Sequence, residues 1–108
     1  MEVLTKRGDF LAAAKALRAS TPSFTLQARE RGDVGGPRFG FTCSKKVGNA
    51  VRRNRAKRRL REVARLVIEP EARAGCDYVL IGRPEATAAR PWDDLRADAR
   101  RALAKVHA

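Results

Sequence analysis

The chemically most distinctive segment of the chain runs from Lys45 to Arg65, where ten Lys or Arg residues stand against a single acid, Glu62. It holds nine of the twelve net positive charges of the protein. Clustered side chains of this type neutralise the phosphates of a polyanion, which is typical of nucleic-acid-binding proteins. A merely solvated helix fits the segment poorly, because such helices mix both signs of charge for solubility.

The same segment carries the apolar period of an α-helix. Apolar side chains recur at spacings of three and four residues, which places them on one stripe: Ala56, Leu60, Val63, Ala64 and Val67. Basic residues occupy the rest of the circumference, and like charges one turn apart repel each other by a few tenths of a kcal/mol per pair. The pattern therefore predicts a packed basic helix whose repulsion an RNA backbone would relieve.

The remaining residues offer little for catalysis by the protein itself. The single histidine, His107, is the penultimate residue, where chain ends are usually frayed. Cys43 and Cys76 are too few for a disulfide framework and lack the spacing of a zinc site. We therefore expect no catalytic residue, no metal site and no cofactor bound by the protein alone.

The 108 residues suit one domain, residues 1–108, with a modest core. No apolar run approaches the length of a membrane span, and the N-terminus lacks the apolar region of a signal peptide. These features predict a cytoplasmic protein without a membrane partner.

Hydrophobic patterns predict the elements that position the basic helix. Thr5 is expected to cap a first helix that runs to about Arg18. Residues 23–29 and 38–44 alternate apolar and polar side chains, which indicates an antiparallel pair of half-buried strands.

After the basic helix, Asp77–Arg83 is a continuously apolar run, as expected of a strand buried on both faces and stopped by Pro84. Pro91 suits the start of a last helix. The predicted fold class is α+β, a small, mostly antiparallel sheet packed with three helices in the order α-β-β-α-β-α.

An ungapped motif in the basic segment closely resembles the signature of the protein subunit of bacterial ribonuclease P, which is named for its Arg-Asn-Arg triplet. The matching residues are Ser44-Lys45-Lys46-Val47-Gly48-Asn49-Ala50-Val51, Arg53-Asn54-Arg55, Lys57-Arg58 and Leu60-Arg61-Glu62. The resemblance extends from residues 4–10 to residues 77–81 and the last helix, so it covers most of the chain.

The resemblance implies a ribonucleoprotein endoribonuclease that removes the 5′ leader from precursor tRNA. The RNA subunit would perform Mg²⁺-dependent hydrolysis, so the protein alone is expected to be inactive and to act as a monomer in a 1:1 complex with that RNA. The family fold also implies one more strand, which we expect from a break between Ser23 and Arg38, and a left-handed β-α-β crossover through the basic helix, an exception to the usual handedness.

The resemblance also assigns RNA-contacting residues. Those expected to contact the catalytic RNA are Lys45, Lys46, Arg52, Arg53, Asn54, Arg55, Lys57, Arg58, Arg61 and Arg65. Those expected to line a cleft for the tRNA leader are Lys6, Arg7, Phe10, Gln27, Thr42 and Ser44.

Two of these assignments carry alternatives. Phe10 matches an aromatic that lines the leader cleft in the family, but ordinary helix–sheet packing explains it equally well. Many relatives have a second aromatic one turn later, where this chain has Ala14, and Gln27 stands where relatives can have an aromatic. For the polar sheet face that would carry Gln27, Thr42 and Ser44, the alternative interpretation is a plain solvent-exposed surface.

Other classes of protein explain the charge but not the motif. A small ribosomal or RNA-chaperone protein would be equally basic. A DNA-binding regulator fits less well, because basic residues surround most of the helix and no dimerisation zipper follows. A membrane-surface helix would need a larger apolar face than one built mostly of Ala and Val.

Overall fold

The computed structural model describes residues 1–43, 49–83 and 85–108. Its strands are β1 (Glu2–Val3), β2 (Leu17–Ser20), β3 (Phe24–Glu30), β4 (Arg38–Cys43) and β5 (Cys76–Gly82). Its helices are α1 (Arg7–Ala14), α2 (Ala50–Val63), α3 (Ala86–Ala89) and α4 (Trp92–His107). A π-helical turn over Ala64–Ile68 and a 3₁₀ turn over Glu69–Glu71 extend α2. The α+β class is confirmed, with a short α3 that was not predicted.

The five strands form one sheet in the order β1-β4-β5-β3-β2. The central strand β5 runs antiparallel to β3 and parallel to β4, so the sheet is mixed rather than mostly antiparallel. The predicted pairing of β3 with β4 is wrong, because β5 lies between them. A strand that is apolar on both faces takes the central place, where both faces are covered.

The segment β4–α2–β5 joins two neighbouring parallel strands, so α2 is the crossover helix of a β-α-β unit. This agrees with the connectivity that the resemblance implies, while the left-handed sense of the crossover stays a prediction. The crossover fixes α2 against the face of the sheet that it spans.

The first helix is shorter than predicted. It follows Lys6 instead of being capped by Thr5, and it ends at Ala14. The missed strand is β2, which precedes β3 and pairs with it antiparallel from Leu17 opposite Ala28 onwards. The break expected between residues 23 and 38 is therefore wrong. Leu17 and Arg18 have helical propensity, but the backbone hydrogen bonds of the ladder with β3 override it.

One face of the sheet carries the main core. Phe24, Leu26, Phe39, Tyr78 and Leu80 are buried there against the crossover helix and α4. The predicted apolar stripe of α2 is buried as a whole: Ala56, Leu60, Val63, Ala64 and Val67. Since this stripe faces the sheet, the basic residues of α2 are left for the surface.

The opposite face of the sheet packs against α1. A smaller apolar cluster of Leu4, Ala13 and Val79 lies there, with Phe10 and Ile81 packed beside it. Within the described ranges, no helix combines the length and the apolar composition needed to cross a membrane.

A buried carboxylate, Asp77, links the strands at one end of this α1-side face. Arg31 Nη1 donates to Asp77 Oδ1 at 2.6 Å, and Arg38 donates through Nε at 2.8 Å and Nη2 at 2.9 Å. Asp9 of α1 lies 3.5 Å from both Arg29 and Arg38. Burial alone would raise the pKa of Asp77, but the hydrogen bonds from Arg38 and Arg31 outweigh it and hold the pKa below its ordinary value.

Replacing this carboxylate should cost stability and remove part of the acid sensitivity. Because the folded-state pKa of Asp77 is depressed, its contribution is present above the ordinary value of 3.8 and is lost as the pH falls through the folded-state pKa. Asp77→Asn removes the carboxylate that Arg31 and Arg38 share and should lower the free energy of unfolding by about 3–5 kcal/mol at pH 7. The loss should shrink at pH 3, as measured by urea denaturation.

The control is Asp94→Asn, the same chemical change at an exposed position of α4. It should cost less than about 1 kcal/mol. Equal losses for the two variants at pH 7 would contradict the role assigned to Asp77.

Candidate nucleic-acid interface

The basic helix α2 has a defined start. The side-chain oxygen of Asn49 accepts a hydrogen bond from the backbone N–H of Arg52 at 3.0 Å, so Asn49 is its N-cap. Ser44, Lys45 and Lys46 lie outside the described residues.

The basic residues of α2 lie on three adjoining sides. Arg53, Lys57 and Arg61 form a ridge beside β4, where the Arg61 guanidinium is 5.7 Å from the ring centroid of Phe41. Asn54, Arg58 and, in the following π-helical turn, Arg65 are exposed on the outer side, and Arg52 and Arg55 face α3. The structure therefore brings the eight described members of the predicted set onto one continuous surface.

The acid Glu62 offsets this charge only locally. Its carboxylate forms an ion pair with Arg65 at 2.8 Å, and both side chains are exposed. Exposed pairs of this kind contribute little to stability. The helix α2 therefore carries far more positive than negative charge.

Arg59, which the motif did not single out, has a structural role. Its Nη1 donates to the carbonyl oxygens of Thr87 and Ala88 at 3.0 and 2.9 Å, and its Nη2 donates to that of Arg90 at 2.6 Å. Burial and the nearby charge of Arg55 lower the pKa of Arg59. The sequence held no signal for this role, because the carbonyl groups belong to a segment about thirty residues away.

The α1-side face of the sheet carries most of the predicted leader cleft. Cross-strand pairing places Gln27 beside Val79, which pairs with Gly40, and places Thr42 beside Ile81. Lys6 and Arg7 are exposed where α1 begins. Phe10, Gln27 and Thr42 thus share one face of the molecule.

The face is less open than the alternation suggested. Gln27 is only 4% exposed, because α1 packs across β3 and β5. Thr42 and Phe10 are partly exposed. A single-stranded RNA bound on this face would therefore run along the rim formed by α1 and β4 rather than along the middle of the sheet.

Phe10 lies against the sheet at a point where only glycine fits. A Cβ on Gly40 would approach ring atoms of Phe10 to 2.5 and 2.9 Å and Leu4 to 3.1 Å. Phe10 also packs beside the cluster of Leu4, Ala13 and Val79. The side chain therefore has a packing role, while its partly exposed surface remains available for another contact.

The titratable groups that could serve catalysis are held in structural contacts. His107, expected at a frayed end, instead belongs to α4, and its Nε2 lies 2.7 Å from the hydroxyl of Tyr78. Burial lowers the pKa of His107 and raises the pKa of the Cys43 thiol. Among the described residues, no group of three or more His, Cys, Asp or Glu side chains could hold a metal ion.

A methyl group at Gly40 should disturb the seat of α1. Gly40→Ala forces the Phe10 ring aside and should cost about 1–3 kcal/mol of unfolding free energy, as overpacking commonly does. In a Phe10→Ala background the two closest contacts are gone and only that with Leu4 at 3.1 Å remains, so the cost should fall below about 1 kcal/mol. Urea denaturation of the four proteins of this double-mutant cycle measures the coupling, and an equal cost in both backgrounds would contradict the contact.

The geometry can be compared with known proteins. The family model described as Ribonuclease P matches residues 1–107. The ribonuclease P protein component of Ruegeria pomeroyi is 63% identical over 110 residues, covering 100% of this chain and 88% of that protein.

Two solved structures share the fold. The RNase P protein of Staphylococcus aureus superposes with a TM-score of 0.78 at 26% identity, covering 98% of this chain and 97% of that one. The RNase P protein of Thermotoga maritima gives a TM-score of 0.78 at 25% identity, covering 100% and 98% of the two chains.

Proposed function

The chain belongs to the ribonuclease P protein family, and from that premise we propose that it assists an RNA subunit in removing the 5′ leader of precursor tRNA. The observation that carries the proposal is the orientation of α2. Its apolar stripe is buried, and the basic residues of the family motif cover the outside. Family membership supports ribonuclease P activity for the assembly of which this protein is a subunit.

In this proposal the surface of α2 binds the phosphates of the catalytic RNA. Arginine and lysine side chains on three sides of one helix match a folded RNA, whose phosphates approach from several directions. The residues assigned to this contact are Lys45, Lys46, Arg52, Arg53, Asn54, Arg55, Lys57, Arg58, Arg61 and Arg65. The protein is proposed to bind one RNA subunit as a monomer.

The leader of precursor tRNA is proposed to follow the rim between α1 and β4. Phe10 offers a partly exposed ring for a base, and the exposed Lys6 and Arg7 are placed for phosphates. Thr42 and, at the buried margin, Gln27 can hydrogen-bond to sugars or base edges. Ser44 is kept in this set because it matches the family motif.

Hydrolysis is assigned to the RNA subunit, with Mg²⁺ required by the assembled enzyme. The protein's own contribution is to hold both RNAs in place, since proximity and orientation lower the barrier of the reaction. The buried acids of the protein are engaged in structural ion pairs, Asp77 with Arg31 and Arg38, and Asp98 with Arg90.

Reconstitution tests the proposed function. Combined with a bacterial ribonuclease P RNA at low Mg²⁺, the protein should accelerate release of the 5′ leader from precursor tRNA, because its cations replace part of the metal screening between the two RNAs. Gel analysis of end-labelled precursor measures the rate. The protein alone should be inert, and cleavage by the protein without RNA, or no acceleration with it, would refute the proposal.

Removing the aromatic ring of Phe10 should weaken binding of precursor tRNA while sparing mature tRNA. Loss of one base-stacking contact costs roughly 1–3 kcal/mol, or about five- to 150-fold in affinity of the reconstituted enzyme. Filter binding of the two tRNAs measures the difference.

Two variants separate stacking from packing at this position. Phe10→Leu keeps apolar volume over Gly40 but lacks a flat ring, so it should retain the melting temperature better than Phe10→Ala and still lose the preference for precursor tRNA. A Phe10→Leu protein with undiminished preference would assign Phe10 to packing alone.

A further inference from the structure

A groove runs between α2 and the corner where α3 meets α4. It consists of two adjoining cavities of about 470 and 310 Å³ that share Arg55 as a lining residue. Arg52 lines the first cavity and Arg58 the second, and the short side chains of Ala88 and Ala89 form the opposite wall of the first. This α2–α3 groove lies on the side of the sheet that carries α4, opposite the face that carries α1.

The α2–α3 groove has an excess of positive charge. Four arginines line it, with Glu62 and Glu85 as its acids, and Glu62 is engaged by Arg65 at 2.8 Å. Arg59 contributes a fixed cation, because three backbone carbonyl groups orient its guanidinium. A concave surface of this charge concentrates anions.

The floor of the second cavity is aromatic. Trp92 lines this cavity, is partly exposed and packs against the main core. The guanidinium of Arg59 lies 5.9 Å from the centroid of the indole ring, in the range of a cation–π contact. Guanidinium planes and aromatic rings both stack on unpaired bases, and neighbouring arginines bind the attached phosphates.

We propose that the α2–α3 groove binds an unpaired nucleotide of the catalytic RNA, with its base against Trp92 and Arg59 and its phosphates on Arg52, Arg55 and Arg58. The inference rests on the proposed function and adds a base-contacting site to an interface otherwise built on phosphates. The catalytic RNA is favoured over the leader as the occupant, because the leader is assigned to the other face of the sheet.

A pair of matched variants tests the site. Ala89→Glu places a carboxylate in the groove, whereas Ala104→Glu makes the same charge change on the exposed side of α4. Because like charges at an interface cost several kcal/mol, Ala89→Glu should weaken binding of ribonuclease P RNA about tenfold or more. Ala104→Glu should stay within about twofold, since screening limits the effect of a remote charge. Melting temperatures confirm that both variants fold.

Trp92 provides a direct readout, because it is the only tryptophan of the chain. Ribonuclease P RNA should change its fluorescence emission and reduce its quenching by acrylamide, whereas precursor tRNA without that RNA should do neither. Tight RNA binding with unchanged Trp92 emission, together with equal affinities of the Ala89→Glu and Ala104→Glu proteins, would overturn the groove and leave the proposed function standing.

Protection of Trp92 by precursor tRNA alone would also overturn the assignment, in favour of the substrate as occupant. Failure of the unaltered protein to bind ribonuclease P RNA at all would instead defeat the proposed function and the groove with it.

Discussion

The carboxylate of Asp77 ties together the strands on which both proposed RNA surfaces rest. It is fully buried in the central strand. Arg38 donates to it from β4, and Arg31 donates to it from just after β3. A buried carboxylate needs such partners, and they in turn need it, because an unpaired charge in the interior is costly. Asp9 joins the same network and so attaches α1 to the sheet.

A second buried carboxylate binds arginines elsewhere in this chain of 24 basic and 12 acidic residues. Asp98 of α4, likewise buried, engages Arg90, which precedes α4, Arg101 of the same helix and the hydroxyl of Ser23. Three acids, Asp9, Asp77 and Asp98, thus pair with arginines away from α2, and α2 itself holds a single acid, Glu62. Its cations repel one another in the free protein, and an RNA bound only by the folded state would stabilise that state.

The two faces of the sheet separate the surface proposed for the catalytic RNA from the surface proposed for the leader. Large apolar side chains on one face fix α2 and α4, so the basic surface and the α2–α3 groove lie on that side. The other face carries α1 and the rim that we assign to the leader. The central strand β5 contributes side chains to both faces and so lies between the two proposed RNA surfaces.

The amino-acid pattern alone predicts the elements with periodic hydrophobicity, together with the basic motif. The stripe of α2 and the apolar run of β5 record which side chains leave water, and that is a local property. The alternation of β3 and β4 records only which face of the sheet a side chain joins, because the polar Thr25 and Gln27 are buried as well. Strand order, the strand β2 and the carbonyl contacts of Arg59 were decided only by the tertiary structure. They depend on which distant segment supplies the partner, as when Arg59 meets Thr87, and no local pattern encodes that partner.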